Sequence, residues 1–231
     1  VEFSLFRRQG AQIFPTPEAR TFFEEVRRCF IGISEIQSAA REIGRDRKAR
    51  VSVAVTHAAS IGIMPEIAKR FHRRWPSIRF DLHVDLSPTI IERVALEKHD
   101  LGLALGPIAN PGLEAIALPR MNVRCVIPQN HRLASKAIVS RADLEGEPLV
   151  LYSGSARYVT EIRRQILSGG GDINIVASSP YASTLCAMVG AGLGITIVDP
   201  LTAQFFGGAG LVAKATELDV PYDVYLIRPS A

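Results

Sequence analysis

VSVAVTHAASIGIMPEIAKRFHRRWP, running from Val51 to Pro76, opens as a strand and closes as a helix. Val51, Val53 and Val55 alternate with Ser52 and Ala54 and stop at a polar turn, Thr56 to Ser60, which is the period of a strand. Met64, Ile67, Ala68, Phe71 and Trp75 then recur at helical spacing, with Lys69, Arg70, Arg73 and Arg74 on other faces. Pro65 lacks an N–H and its ring collides with the preceding turn, so the long helix starts near it, after a looser turn. A strand, a hydroxyl-bearing turn and a helix N-terminus make a cradle for an anion or carboxylate. The same residues also suit an ordinary βα unit with a capped helix.

Downstream the unit repeats. Phe80, Leu82, Val84 and Leu86 alternate as a strand, Ser87 and Pro88 cap a helix carrying Ile90, Ile91, Val94 and Ala95, and Asp100 to Leu105 is a buried strand. Alternating strands and helices imply right-handed βαβ crossovers and a parallel sheet. Gly106-Pro107 and Asn110-Pro111-Gly112 punctuate the chain as a domain crossing. A second series follows. Strands are expected at Val123–Ile127, Leu149–Tyr152, Ile173–Ala177 and Gly194–Val198, with a short helix at Arg141–Leu144. Longer helices are expected from about Arg157 to Leu167 and, capped by Ser178-Ser179-Pro180, to about Gly190. Strands at Leu211–Ala215 and Val224–Ile227 could return to the first sheet. The expected fold is α/β, with two Rossmann-like lobes, 50–107 plus 211–231 and 108–210, joined by crossing strands as a hinged ligand clamp.

Upstream, residues 1–15 read as two short strands around Gln9-Gly10, with Arg7 and Arg8 at the tip; fifteen residues cannot fold alone. Thr16, Pro17 and Glu18 announce a helix: a hydroxyl N-cap, proline at the first helical position and an acid in the first turn. Phe22, Val26, Cys29, Ile33, Ile36, Ala40 and Ile43 follow as a heptad seam, which calls for a partner helix. A helix over 17–43 would run about 40 Å, long for one globular domain. We read 16–45 as a dimerising linker helix, and Arg41 to Arg50 as the linker into the next domain.

With 231 residues, 47% hydrophobic and 22% charged, the chain can bury a substantial core. No apolar run approaches the roughly 20 residues of a membrane span. The start at Val1, with neither Met nor a signal-like pattern, reads as a fragment of a longer cytoplasmic chain. Cys29, Cys125 and Cys186 are odd in number and lack CxxC spacing, against a disulfide framework or zinc site. The first 50 residues carry ten Lys/Arg against seven Asp/Glu, so the basic excess behind the net charge of +4 sits there.

Each expected βα turn carries hydroxyls: Thr56 and Ser60, Ser87 and Thr89, Ser153 and Ser155, Ser178 and Ser179. In open α/β sheets ligands bind at these strand ends, and hydroxyls beside helix N-termini suit a carboxylate or amino acid; about half should be N-caps only. Catalytic patterns are missing. His57 beside Thr56 has no acid at an identifying spacing, and no GxSxG, HExxH or Walker loop occurs. Gly190-Ala191-Gly192-Leu193-Gly194 follows a helix and precedes a strand, the reverse of a dinucleotide fingerprint. We expect no cofactor and no metal, because the five histidines show no ligand spacing.

In the order and spacing of its motifs the chain resembles a LysR-type bacterial transcriptional regulator. Leu5-Phe6-Arg7-Arg8 and Phe14-Pro15-Thr16-Pro17-Glu18-Ala19 resemble the family's wing and the start of its linker helix. Met64-Pro65 with Phe71 and Pro76 is similar to the first helix of its effector domain, and Asp100-Leu101-Gly102-Leu103-Ala104 to its third strand. His131-Arg132-Leu133-Ala134 with Asp143-Leu144, and Gly192-Leu193-Gly194-Ile195 with Asp199-Pro200, resemble its second lobe. Arg132 replaces the proline usual after that histidine, and Arg50 stands where a glycine often opens the first strand.

The resemblance implies a type 2 periplasmic-binding-protein-like fold, with most of the winged helix–turn–helix ahead of Val1 and a helix after Pro229 missing. It implies that a small polar metabolite, an amino acid or organic acid, binds between the lobes. The implied effector contacts are Thr56, His57, Ala58, Ser60, Ser87, Pro88, Thr89, Gly106, Pro107, Ser153, Arg157, Tyr158, Ser179 and Tyr181. Arg7 and Arg8 would meet double-stranded DNA, and the whole protein would act as a homodimer or homotetramer, cytoplasmic and off the membrane. A transporter's solute-binding protein would share the clamp but not the heptad helix. A small α/β transferase using His57 is a third reading that no residue pattern requires.

Overall fold

The short-period valines at 51–55, the alternation at 80–84 and the apolar run at 101–105 lie side by side as strands in a computed structural model of the chain. The structure describes residues 3–9, 12–23, 25–26, 49–168, 170–208 and 210–230. They belong to two units, Val1–Ala49 and Arg50–Ala231.

In the first unit β1 (Phe6–Gln9) and β2 (Gln12–Pro15) pair antiparallel. Arg7 and Arg8, expected at the tip, lie within β1 opposite Phe14 and Ile13, because the reversal falls between Gln9 and Gln12. Thr16 is the expected cap: its hydroxyl accepts from the Ala19 amide at 3.1 Å, and residues 17–23 and 25–26 are helical (α1). Of the heptad seam, Phe22 and Val26 are in this helix; Cys29, Ile33, Ile36, Ala40 and Ile43 lie outside the described residues.

The second unit holds two lobes. In the first, β3 (Arg50–Val55), β4 (Arg79–Val84) and β5 (Leu101–Leu105) run parallel, and β15 (Val224–Pro229) lies antiparallel between β5 and β6 (Leu113–Ala117). Helices α2 (His57–Gly62), α3 (Met64–Arg74) and α4 (Ser87–Ala95) connect them. Ile90 and Val94 of α4 are fully buried in a cluster with Ala54, Ala104 and Ile227; each such side chain contributes about 1.5–3 kcal/mol.

The second lobe comprises β8 (Arg124–Pro128), β9 (Ile138–Val139), β10 (Pro148–Tyr152), β11 (Asn174–Ser179), β12 (Thr196–Val198) and β13 (Leu211–Thr216). Its helices are α5 (Arg157–Leu167), α6 (Ala182–Gly190) and α7 (Pro200–Phe206). The parallel pair β10–β11 joins the β12-β8-β13-β9 sheet through a bridge from Leu149 to Ile195. Gly194, at φ +142°, makes this junction close: a Cβ there would lie 1.9 Å from the Pro148 carbonyl oxygen. Two crossings link the lobes, and they pair antiparallel as β7 (Met121–Asn122) and β14 (Pro221–Tyr222).

This topology moves three sequence-based boundaries. Leu113–Ala117 pairs with β15 and so belongs to the first lobe; the boundary expected between residues 107 and 108 falls after Ala117. Leu211–Thr216, expected to return to the first sheet, pairs with β8 and β9, and only β15 returns. Both strands are short apolar runs whose sheet is chosen by tertiary pairing, which no local pattern encodes. The turn expected at residues 56–60 is largely helix α2, and α3 follows it through Ile63, one residue before Met64 and Pro65.

Candidate functional site

The carboxyl ends of β3, β10 and β11, and the segments after β4 and β5, are where the chain leaves the sheets for its next element. Helices α2, α4, α5 and α6 start there with Thr56, Leu86, Ala156 and Tyr181 as N-caps. None of the four has a side-chain cap hydrogen bond and none has an acid in its first turn. By contrast, Asp199 caps α7 by accepting from the Thr202 amide at 2.8 Å, and His131 caps the 3-10 turn at Arg132–Ser135. Ser87 and Ser179, expected as caps, work otherwise. The Ser87 hydroxyl accepts from the Leu105 amide at 2.9 Å, tying α4 to the end of β5, and the Ser179 hydroxyl accepts from the Tyr181 amide at 3.3 Å.

The side chains named from the sequence line these ends. His57, the first residue of α2, faces Tyr181 across the lobes, with ring centroids 5.5 Å apart. Arg157 is the first residue of α5 and exposed. Ser153 follows β10, its amide bonded to the Ser179 carbonyl at 3.0 Å. Pro88 and Thr89 lie in the first turn of α4. Other named residues are occupied by the fold. Ala58 is buried, Ser60 donates to the His57 carbonyl at 2.7 Å, and Gly106, joined to Pro107, leaves no room for a Cβ beside the Tyr225 ring.

The chain also holds a buried polar cluster that sequence reading largely missed. The Tyr152 phenol donates to the Asp199 carboxylate at 3.1 Å, with both residues about 1% exposed. The Tyr158 ring meets Tyr152 edge-on at 5.5 Å and Tyr222 edge-on at 5.6 Å. Tyr222 sits on the returning crossing β14 and is buried. Burial, with Asp199 second, pushes the Tyr158 phenol up to about 12 and those of Tyr152 and Tyr222 well above their ordinary value. Burial also raises Asp199, against the pull of the Thr202 amide and the Tyr152 phenol. The one local signal was Asp199-Pro200, an acid followed by proline at a helix start. The four helix starts offer amide and hydroxyl donors, which suit a small anion better than a cation. Among the described residues no group of three or more His, Cys, Asp or Glu is placed to hold a metal ion.

The family model described as LysR substrate binding domain matches residues 44–231. The transcriptional activator protein LysR of Escherichia coli (strain K12) is 31% identical over 225 residues, covering 97% of this chain and 72% of its own length. The regulatory protein NocR of Agrobacterium tumefaciens (strain T37) is 32% identical over 227 residues, covering 98% of this chain and 76% of its own. Among solved structures, the BenM effector binding domain with its effector benzoate superposes with a TM-score of 0.65 at 18% identity, covering 80% of this chain and 86% of that one. Full-length BenM superposes with a TM-score of 0.62 at 18% identity, covering 98% and 76%. At these identities the structural likeness speaks for the fold: two α/β lobes of the type 2 periplasmic-binding-protein kind.

Proposed function

The chain belongs to the LysR substrate-binding-domain family, and from that premise we propose that it senses a small carboxylate held between its two lobes. It is the effector-binding part of a LysR-type transcriptional regulator, and its relatives are regulators rather than enzymes or transport proteins. The observation that carries the carboxylate is the group of four helix starts, on α2, α4, α5 and α6, without side-chain caps or first-turn acids. Unfilled first-turn amides and the partial positive charge of a helix start favour an anion. Arg157 adds a full positive charge on the second-lobe wall, and His57 and Tyr181 flank the mouth. BenM's effector, benzoate, is itself a carboxylate.

In this reading ligand contacts on both walls favour one relative angle of the lobes. The chain would work in the cytoplasm, paired through the seam from Phe22 to Ile43, which would carry the change to DNA-reading domains near Arg7 and Arg8. The test is a thermal-shift screen against amino acids, opine-like conjugates and small carboxylates. A ligand at 100 times its dissociation constant stabilises by about 2.7 kcal/mol, a rise of roughly 5–10 °C for a chain of this size. Arg157→Ala should then weaken a carboxylate hit about tenfold, and Thr56→Ala and Ser87→Ala should weaken it too. A hit whose affinity none of the three alters would place the ligand elsewhere.

A further inference from the structure

Helix α2 belongs to the first lobe, yet both of its ends meet the second. Its first residue, His57, faces the Tyr181 ring at 5.5 Å, and its last, Gly62, lies against α7. A Cβ on Gly62 would stand 3.0 Å from the Leu201 Cβ and 3.1 Å from the Leu201 carbonyl oxygen, so the two helix backbones approach as closely as a missing side chain allows. Leu201 is 6% exposed, and it is buried with Val53, Val55, Ala58, Ala59, Met64 and Leu103 of the first lobe rather than in its own lobe's core. Further along α7, Ala203 is fully buried in the second lobe's core and Phe206 packs against it. Helix α7 thus serves both cores: it packs on α6, β8 and β13 of its own lobe and on α2 of the other. Its start is fixed by the Asp199 carboxylate, which accepts from the Thr202 amide at 2.8 Å and from the Tyr152 phenol at 3.1 Å.

We propose that Leu201 is a positioning residue of the effector site: set in the first lobe's core against Gly62, it ties α2, the first lobe's wall of the cleft, to α7. The two crossings are then not the only joint between the lobes. A leucine in a close-packed core, beside a backbone contact with no side chain between, leaves no slack for sliding. Helix α2 therefore stays with α7 when the lobes turn, and the turn is confined to motions that keep both this contact and the crossings. The inference deepens the cleft reading and rests on it, but the contact exists without a ligand and is tested without one.

The experiment is amide hydrogen exchange, resolved by peptide, on the full 231-residue chain and its variants. Leu201→Ala should speed exchange about ten-fold in residues 57–62 of the first lobe together with residues 200–206. Leu201→Met, of nearly the same volume, should bring both back to within about two-fold of wild type. Leu185→Ala empties a comparable space within the second lobe's core alone and should leave residues 57–62 within about two-fold of wild type. Gly62→Ala sets the contact against helix propensity, which by itself would slow exchange in α2. The contact requires instead an acceleration of about two- to five-fold there, because the Leu201 backbone must give way. Acceleration by Leu201→Ala confined to residues 200–206, equal acceleration of residues 57–62 by Leu201→Ala and Leu185→Ala, or slower exchange in Gly62→Ala would each overturn the proposal. If Leu201→Ala does not fold, Gly62→Ala decides the question. Failure of the carboxylate screen with the exchange pattern intact would remove the effector reading alone.

Discussion

Replacing Asp199 separates two roles that one carboxylate plays inside the second lobe. One oxygen caps α7 through the Thr202 amide, and the other accepts the Tyr152 phenol in surroundings closed to water. Asp199→Ala removes the cap, a loss of about 1 kcal/mol, and strands a buried phenol, costing about 1–3 kcal/mol. It also recovers part of the cost of burying a charge, so the expected net loss at pH 7 is about 2 kcal/mol. Asp199→Asn keeps a good capping oxygen and loses the charge, so it should cost less than half as much. The sign of the pH dependence follows from the raised pKa of Asp199, whose first cause is burial. The folded state binds the proton more tightly than the unfolded chain. This contribution is full below the ordinary aspartate range and is lost as pH rises through the raised value, and Asp199→Asn should abolish it. Urea unfolding of wild type and both variants between pH 4 and pH 8 measures all of this, as shifts in midpoint at constant slope. Equal losses for Ala and Asn, or an Asn variant that keeps the wild-type pH slope, would refute the two-role account.

Three further outcomes are expected. Gly194→Ala should disrupt the junction between β10 and β12, because its Cβ would meet the Pro148 carbonyl oxygen at 1.9 Å, and the loss should exceed about 3 kcal/mol. Gly192→Ala, also at positive φ but with nothing within 4 Å, should cost only about 1–2 kcal/mol, and urea unfolding of the two variants side by side measures the difference. His99 is 6% exposed, bonded to the Ser52 hydroxyl at 2.8 Å and stacked near His83. Burial first, then His83 and Arg93, lower its pKa, so its stabilising contribution is present above the ordinary histidine range and lost as pH falls below it. Removing the imidazole in His99→Gln should flatten that acid loss between pH 7 and pH 5, and an unchanged profile would assign it to other groups.

Periodicity carried most of the architecture. The helix expected from Arg157 to Leu167 spans those residues as α5, and Thr16 caps as its hydroxyl and the following proline indicate. Boundaries slipped where the deciding partner is distant. Leu113–Ala117 and Leu211–Thr216 are both short apolar strands, and only pairing with β15 in one case and β8 in the other separates them into different lobes. Ser87 has a capping residue's chemistry, but its hydroxyl is claimed by the Leu105 amide across the sheet. The Tyr152–Asp199 contact joins residues 47 apart, and neither carries a local sign of the other. Hydroxyls at strand ends were thus legible in the sequence, while the buried Tyr152–Asp199 cluster was written only in tertiary contacts.

The first lobe's sheet is finished by the last strand of the chain. Leu226 of β15 lies opposite Leu103 on one side and Ile116 on the other, so an interior strand arrives after the whole second lobe has been made. During synthesis β6 has no neighbour to bond to, and the apolar edge of β5 stays open until residues 224–229 leave the ribosome. The second lobe, whose strands all lie between Arg124 and Thr216, can close earlier. Assembly should therefore run from the inserted lobe to the one that encloses it, and the slow, aggregation-exposed step is the return of β15 across a long loop. A nascent chain arrested before Val224 should protect the second lobe from protease and leave the first open to it.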